Sequence, residues 1–278
     1  MKIASWNINS LRKRQERLLD WLSKEEPDVV CLQETKCSDD QFPELALSAA
    51  GYRCVFHGQK SYNGVAILSQ HELLEREAAL CAKSDDEQAR VIVATINGVR
   101  VFSIYAPNGQ AVGSPAFHYK LQWFIQLRDC VVGAQKSFPQ VIVCGDFNVA
   151  PEDRDVYDPR LWRGAIMCSE EERTALRALE QIGLRDTLRI HHAEGGLFSW
   201  WDYRMLAFQK NRGLRIDAIL ASESLAARCT AAGIDREMRK GKDPSDHAPV
   251  WAEFSPLSSR AERSEVEGSL TNCRVVLE

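Results

Sequence analysis

The stretch Gly145-Asp146-Phe147-Asn148 follows an apolar run, Val141 to Cys144, that is typical of a buried strand. Side chains on a strand alternate between its two faces, so Asp146 and Asn148 are predicted to project the same way while Phe147 turns into the core. Open α/β sheets place their ligands at strand ends. A carboxylate and an amide side by side at such an end therefore indicate a candidate site. The alternative is ordinary turn chemistry, because Asp and Asn also hydrogen-bond their own backbone.

A second stretch, Ser245-Asp246-His247-Ala248-Pro249, places an acid and an imidazole just ahead of the strand-like run Val250-Trp251-Ala252. Two acids, one amide and one imidazole at strand ends are groups that metal-assisted phosphoryl chemistry requires. Taken by themselves, Asp246 and His247 could equally be structural, so the interpretation depends on further polar groups at other strand ends.

Three more apolar runs carry such a group. Asn7 ends the first run of the chain, and Glu34 follows a continuous apolar run directly, where a buried carboxylate must be paired or bind a metal. Asp217 lies inside the run from Leu214 to Leu220. Asn7 could be a turn residue, and Asp217 could form a structural salt bridge with Arg215.

Seven short blocks occur in a fixed order along the chain: Ser5–Asn9, Leu32–Lys36, Tyr105–Gly109, Gly145–Asn148, Ser199–Tyr203, Asn211–Asp217 and Ser245–Pro249. Together they resemble the exonuclease III family of DNA repair nucleases, within the endonuclease/exonuclease/phosphatase superfamily. The resemblance covers residues 1–254. The blocks at 199–203 and 211–217 are the most specific, because the wider superfamily shares the acids but not these tracts.

The resemblance implies an α/β fold, a four-layered α/β sandwich in which two packed mixed β-sheets are flanked by helices. We expect one domain over residues 1–254. The tail at 255–278 is rich in Ser, Arg and Glu and is predicted to be disordered or appended. Local patterns predict strands at 53–57, 64–69, 89–96 and 99–105, the last two joined by an Asn97-Gly98 hairpin. Helices are predicted at 116–136 and at 169–182, the second opened by a Ser169–Glu172 capping box.

The resemblance also implies roles for individual residues. The expected catalytic residues are Tyr105, Asp146, Asn148, Asp217 and His247. The expected metal site comprises Asn7, Glu34, Asp146, Asn148, Asp246 and His247. The expected substrate-binding residues are Arg90, Asn108, Trp200, Arg204, Arg212, Leu214 and Ile216.

Glu34 is expected to be the principal ligand of Mg²⁺, with Mn²⁺ as a substitute, because Mg²⁺ favours one or two carboxylates. Asp217 would orient His247 as the third group of a triad does. Either Asp146 or His247 could be the base. Trp200, Trp201 and Tyr203, with Leu214 and Ile216, would line an apolar slot for a flipped-out abasic sugar.

The implied partner is double-stranded DNA, especially abasic or 3′-blocked ends, bound by a monomer. The formal net charge of −4 does not exclude this, because basic residues cluster beside the candidate segments. Two alternatives remain open: a superfamily phosphatase or phosphodiesterase acting on a sugar phosphate or lipid head group, and a protein that binds damaged DNA without cutting it.

Composition limits the cellular context. No apolar run is long enough to cross a membrane, and the chain begins directly with a strand-like run, so no secretory signal is expected. Nine cysteines, an odd number without a Cys-x-x-Cys pair, indicate reduced thiols and argue against a disulfide framework or a zinc site. These features predict a cytoplasmic protein, and the resemblance implies that it is nucleoid-associated when it acts on DNA.

Overall fold

A computed structural model describes residues 1–78 and 88–256, and its strands form two six-stranded sheets. The first sheet contains, in spatial order, β11 (Cys229–Ile234), β12 (Val250–Phe254), β1 (Lys2–Asn7), β2 (Val29–Gln33), β4 (Val65–Ser69) and β3 (Arg53–His57). The second contains β5 (Leu74–Glu77), β6 (Val91–Ile96), β7 (Val99–Tyr105), β8 (Val141–Asp146), β10 (Asp217–Ser222) and β9 (Leu184–Asp186). Both sheets are mixed, because β1 with β2 and β7 with β8 are parallel pairs among antiparallel neighbours.

The described residues form seven α-helices, of which four cover the outer faces of the sheets. The seven are α1 (Leu11–Glu25), α2 (Glu44–Ala49), α3 (Pro115–Gln135), α4 (Pro159–Trp162), α5 (Glu170–Gln181), α6 (Thr187–His191) and α7 (Glu223–Ala226). Helices α1 and α2 pack on the first sheet, and α3 and α5 pack on the second. The four-layered sandwich predicted from the sequence is confirmed.

The alternation of side chains along each strand builds these layers. On β1, Ile3 points into the core between the two sheets, whereas Ala4 and Trp6 pack against α1. On β8, Ile142 and Cys144 enter the inter-sheet core, and Val143 packs under α3. Both faces of these central strands are buried, so most of their residues are apolar.

Local signals set several element boundaries as predicted. The Ser114 hydroxyl accepts a hydrogen bond from the Phe117 amide at the start of α3. Ser169 and Glu172 form a reciprocal capping box at the start of α5. Strands β6 and β7 pair as a hairpin through Asn97 and Gly98, whose φ angles of 49° and 78° are both positive, as a tight hairpin turn of this type requires.

Other boundaries differ from the prediction. The apolar run from Leu214 does not form a continuous strand: β10 begins only at Asp217, while Leu214 makes isolated bridges to Val156 and Trp200. Asp217 therefore starts its strand rather than interrupting it.

Six cysteines of the described residues, including Cys31 and Cys144, are free thiols, whereas Cys130 is disulfide-bonded. The expectation of reduced cysteines is therefore wrong for Cys130. In the predicted tail, Ser255 still hydrogen-bonds Arg228, and residues 257–278 lie outside the described part of the chain. Among the described helices, none combines the length and apolar character that a membrane crossing would require.

Candidate active site

Strand ends from both sheets meet at one edge of the sandwich. Asn7 is the last residue of β1, and Glu34 directly follows β2. From the second sheet, Asp146 ends β8 and pairs in register with Asp217, the first residue of the antiparallel strand β10. His247 lies in the loop that leads into β12. The fold thus brings together side chains that are far apart in the sequence.

The amide of Asn7 joins two carboxylates across the sheets. Its Nδ2 donates to Oε1 of Glu34 at 2.8 Å and to Oδ2 of Asp146 at 2.9 Å. Its Oδ1 accepts from the backbone N–H of Asn9. Asn7, predicted as a metal ligand, therefore presents its NH₂ group to the acids and holds them close to each other.

His247 and Asp217 form a buried pair. Nδ1 of His247 lies 2.8 Å from Oδ2 of Asp217, and its Nε2 lies 3.7 Å from Oδ2 of Asp146. The Ser199 hydroxyl donates a hydrogen bond to Asp217 at 2.6 Å. It accepts hydrogen bonds from the backbone N–H groups of Ile216 and Asp217. Asp217 is thereby fixed from behind, and the second ring nitrogen of His247 faces the Asp146 carboxylate.

Asn148 has a left-handed backbone conformation, with φ of 52°. Its N–H donates to Oδ1 of Asp146 at 2.9 Å, and its side-chain amide donates to the carbonyl of Ala106 at 2.9 Å. The amide of Asn108 in turn donates to Oδ1 of Asn148 at 3.3 Å. Strained conformations that the surroundings hold in this way are concentrated at functional sites.

Gly145 is required by the close approach of the neighbouring strand. A Cβ atom at this position would lie 1.9 Å from the carbonyl oxygen of Ile104. Any larger residue would push β8 away from β7 and displace Asp146. This explains the glycine of the Gly-Asp-Phe-Asn stretch in steric terms.

Burial and neighbouring charges together raise the pKa values of three groups in the site. Burial raises the pKa of the Asp146 carboxyl, and the charge of Asp217 adds to this effect while His247 opposes it. Burial alone would lower the pKa of His247, but the carboxylates of Asp217 and Asp146 outweigh it and raise the pKa. Burial, together with Glu34 and Asp146, raises the pKa of Tyr105 well above its usual value and keeps the phenol protonated.

The donor set fits a hard divalent cation. Among the described residues, Glu34, Asp146 and His247 each offer a ligand atom, and these atoms lie within 4.8 Å of one another. Two of the three are carboxylates, the ligands that Mg²⁺ prefers. Asp246, predicted as a further ligand, is outside this group.

Asp246 instead accepts hydrogen bonds from Nδ2 of Asn9 at 2.8 Å and from Nε1 of Trp200 at 3.1 Å. Burial would raise the pKa of Asp246, but the His247 charge and these two donors lower it. An ionised Asp246 next to the site orients Asn9 and the Trp200 ring.

The predicted polar residues for substrate binding differ in their exposure and partners. Arg90 lies over the Tyr105 ring, with its guanidinium carbon 4.9 Å from the ring centroid. Asn108 and Arg212 are exposed. Arg204 is also exposed, and it forms an ion pair with Asp202 at 2.6 Å, which reduces its free charge.

The apolar residues expected to line a slot are mostly covered. Leu214 and Ile216 are 0% and 2% exposed. They form one cluster in which Trp162, Met167 and Trp200 are partly buried. Trp200 therefore presents partly exposed surface, while Leu214 and Ile216 lie behind it.

Two neighbouring expectations need correction. Trp201 is fully buried against Phe198 and Phe208, so it belongs to the core and not to a slot. Arg215 is paired with Asp155 at 2.5 Å and with Asp186 at 2.6 Å, not with Asp217. The structural salt bridge considered for Asp217 is therefore not formed.

Sequence reasoning missed three residues that support the site. Lys36 forms an ion pair with Glu34 at 2.7 Å, and Ser199 fixes Asp217. Both lie within blocks that the resemblance marks. Lys120 donates to the backbone of Asn148, but its helical surroundings carry no local signal for that contact.

Two packed sheets with an acid–imidazole cluster at one edge define a class of phosphoester hydrolases. The profile of the endonuclease/exonuclease/phosphatase family matches residues 4–247, and the chain belongs to this family.

Several known proteins are similar over most of their length. An exodeoxyribonuclease III of Haemophilus influenzae is 36% identical over 266 residues, which cover 91% of this chain and all of that protein. Among solved structures, the 3′ phosphatase NExo from Neisseria bound to a product DNA hairpin has a TM-score of 0.91 at 45% identity, covering 92% of this chain and 100% of that one. An AP endonuclease from Archaeoglobus fulgidus has a TM-score of 0.88 at 37% identity, with 92% and 100% covered. The chain is thus a DNA repair nuclease of the exonuclease III type, as its sequence predicts.

Proposed function

We propose that this site hydrolyses phosphodiester bonds in double-stranded DNA with Mg²⁺, as a 3′–5′ exonuclease, an abasic-site endonuclease and a 3′-end phosphatase. The observation that carries the proposal is the cluster of Glu34, Asp146 and His247, whose ligand atoms lie within 4.8 Å of one another beside the His247–Asp217 pair. The similar proteins include an exodeoxyribonuclease III, a 3′ phosphatase and an AP endonuclease, which supports the same range of activities.

Glu34 and Asp146 would hold the Mg²⁺ ion, and Mn²⁺ could replace it because both ions prefer oxygen ligands. Bound there, the ion would polarise the phosphoryl group and offset the charge that develops on it. Asn7 keeps the two carboxylates together through its NH₂ group. Asp246 contributes by orienting Asn9 rather than by direct contact with the ion.

His247 would face the phosphate as a cation. Asp217 holds its Nδ1, so the Nε2–H remains available for a phosphate oxygen. The phenol of Tyr105, which burial keeps protonated, and the amide of Asn148 would donate further hydrogen bonds to the phosphate. Donors that are fixed before the reaction stabilise developing charge without the cost of reorientation.

Asp146 would transfer the proton. His247 cannot accept one while two carboxylates keep it cationic, which leaves Asp146 as the base that takes a proton from the attacking water. Asp146 lies 3.7 Å from Nε2 of His247, so it would be within reach of a water that attacks a phosphate held by His247. The leaving 3′-oxygen departs on the opposite side of the phosphorus from the attacking water, so it would take its proton from the solvent.

Substrate binding would rely on Arg90, Arg204 and Arg212 for phosphates and on Trp200 for the sugar, with Asn108 beside Asn148. We further propose that the protein acts as a monomer on abasic or 3′-blocked duplex DNA in the cytoplasm, at the nucleoid. Local basic residues can attract the DNA backbone even though the whole chain is acidic.

The test compares four substrates at matched concentration: an abasic duplex, a duplex with a 3′-phosphate, an intact duplex and a soluble phosphate ester. We expect hydrolysis of the duplexes in Mg²⁺, none in chelator, and little of the ester. Asp146→Asn should abolish activity, while Asp129→Asn, at an exposed position on α3, should not. Preferential hydrolysis of the soluble ester would instead identify a phosphatase of small substrates.

A further inference from the structure

Lys120 on α3 is a fully buried cation outside the proposed chemistry, yet it contacts two loops of the site. Its Nζ donates to the backbone carbonyl of Asn148 at 2.7 Å and to that of Asn108 at 3.1 Å. The third partner is Oε1 of Glu172 at 2.5 Å, and both charged side chains are 0% exposed. An ammonium group has three donors, and all three are used here.

Glu172 is itself held firmly. Its carboxylate accepts hydrogen bonds from the backbone N–H of Met167 at 3.0 Å and from the N–H and hydroxyl of Ser169 at 3.1 and 2.7 Å. This is the capping box that opens α5. Glu172 therefore gives Lys120 a fixed counter-charge on a second helix.

The other two contacts of Lys120 are to backbone carbonyls, and one of these belongs to a residue in a left-handed conformation. Asn148 has φ of 52°, and Asp146 fixes its N–H while Lys120 fixes its carbonyl. The side chains of Asn108 and Asn148 are hydrogen-bonded to each other at 3.3 Å. A single ammonium thus sets the separation of the loops that follow β7 and β8.

A glycine in the loop after β7 leaves room for the Lys120 side chain. Gly109 has φ of 90°, and a Cβ atom there would lie 3.1 Å from Cδ of Lys120. The aliphatic stem of Lys120 passes this glycine on its way to the two carbonyls. The loop, the helix and the cation therefore fit together as one unit.

We propose that Lys120 is a positioning residue of the nuclease: with Glu172 as its counter-charge, it holds Asn148 and Asn108 at the spacing that the phosphate requires. The inference rests on the proposed role of Asn148 as a phosphate donor. Small displacements of a donor reduce the rate of reaction strongly, so loss of this anchor should act on turnover more than on DNA binding.

The main test uses Lys120→Met and the double variant Lys120→Met/Glu172→Gln. The single variant leaves an unpaired buried carboxylate and should lower the Tm, whereas the double variant removes both charges and should recover much of it. Turnover on a 3′-phosphate duplex in Mg²⁺ should fall roughly 10- to 100-fold in both variants, with KM nearly unchanged. Recovery of wild-type kcat in the double variant would overturn the proposal, because Lys120 would then only neutralise Glu172.

Arg100→Met is the matched control. Arg100 is another buried cation, 3% exposed, that pairs with Glu77 on β5, and its loss should lower the Tm without lowering kcat below the transition. If Lys120→Met does not fold, Lys120→Arg keeps the charge but replaces the compact ammonium with a larger planar guanidinium, which should displace the two bonded carbonyls. It should show the same loss of kcat, and wild-type kcat in that variant would also refute the proposal.

A double-mutant cycle with Asn148→Ala separates this inference from the proposed function. If Lys120 acts through Asn148, adding Lys120→Met to Asn148→Ala should cause little further loss of kcat. Additive losses would mean that Lys120 acts elsewhere. Wild-type activity of Asn148→Ala alone would refute the role of Asn148 itself, whereas an impaired Asn148→Ala with an active Lys120→Met would refute only the positioning role.

Discussion

Asp217 holds the imidazole of His247 through Nδ1 at 2.8 Å, and both side chains are almost completely buried. The two residues come from different sheets, because Asp217 starts β10 and His247 precedes β12. Their contact therefore forms only when the two sheets are packed together. A change that separates the sheets would also break the His247–Asp217 pair.

The first prediction concerns this pair. If Asp217 acts only by orienting and charging His247, Asp217→Ala, His247→Ala and the double variant should lose similar amounts of kcat, because residues that act as a unit are not additive. The measurement is turnover of a 3′-phosphate duplex by all three. Additive losses would show that the two residues act independently.

Removal of Glu34 should weaken metal binding. Glu34→Ala is expected to reduce turnover by orders of magnitude at low Mg²⁺, with partial recovery at high Mg²⁺, because the principal anionic ligand is lost. Glu171→Ala, an exposed position on α5, serves as the control. Wild-type activity of Glu34→Ala at low Mg²⁺ would contradict the metal assignment.

Trp200 should affect abasic substrates selectively. A contact between an aromatic ring and nucleic acid is worth about 1–3 kcal/mol, so Trp200→Ala should reduce abasic-site incision roughly tenfold or more while sparing a small phosphodiester. Trp200→Phe keeps a ring but removes the hydrogen bond to Asp246, and it separates the two effects. Equal losses on every substrate would identify Trp200 as a core residue.

Arg212 is expected to act through charge alone. Arg212→Gln should weaken binding of all duplexes alike and flatten the dependence of affinity on salt, because one phosphate contact fewer releases fewer counterions. Arg53→Gln is the control. Arg53 is exposed at the end of β3 that points away from the site. Unchanged salt dependence for Arg212→Gln would place this residue outside the DNA contact.

Acid should weaken the fold through Asp155. Burial would raise the pKa of this carboxyl, but the guanidinium groups of Arg215 and Arg189 outweigh it and lower the pKa. A depressed pKa stabilises the folded state above the unfolded pKa, near 4, and this stabilisation is lost as the pH falls through the folded pKa.

Asp155→Asn should therefore destabilise the protein by roughly 3 kcal/mol or more at pH 7. The difference from the wild type should begin to shrink as the pH falls below about 4, and it should be lost only below the depressed folded pKa, where the folded wild-type carboxyl is protonated as well. Thermal unfolding between pH 7 and pH 2 measures both quantities. Asp153→Asn, which removes an exposed ion pair with Arg173, should change little at any pH. A difference at pH 2 as large as that at pH 7 would rule out ionisation as the cause.

The sequence by itself determined the features that depend on neighbouring residues. The capping box at Ser169 and Glu172 and the Asn97-Gly98 hairpin each form from groups a few residues apart. The polar residues that follow apolar runs, such as Glu34 and Asp146, could likewise be read as strand-end groups, because burial of both strand faces leaves little room for other polar side chains. No local pattern specifies how the two sheets pack. The sandwich could be expected only because the seven ordered blocks resemble a family with that fold.

Only the tertiary structure decided which distant groups meet. It paired Arg215 with Asp155 and Asp186, and it turned the NH₂ of Asn7 toward the acids. In the folded chain Leu214 is fully buried, and Nζ of Lys120 donates to backbone carbonyls in two loops of the site. The alternation of side chains along a strand specifies which residues face inward, but it does not specify what lies opposite them. That choice depends on how both sheets and their helices pack, and it is therefore made by the folded chain as a whole.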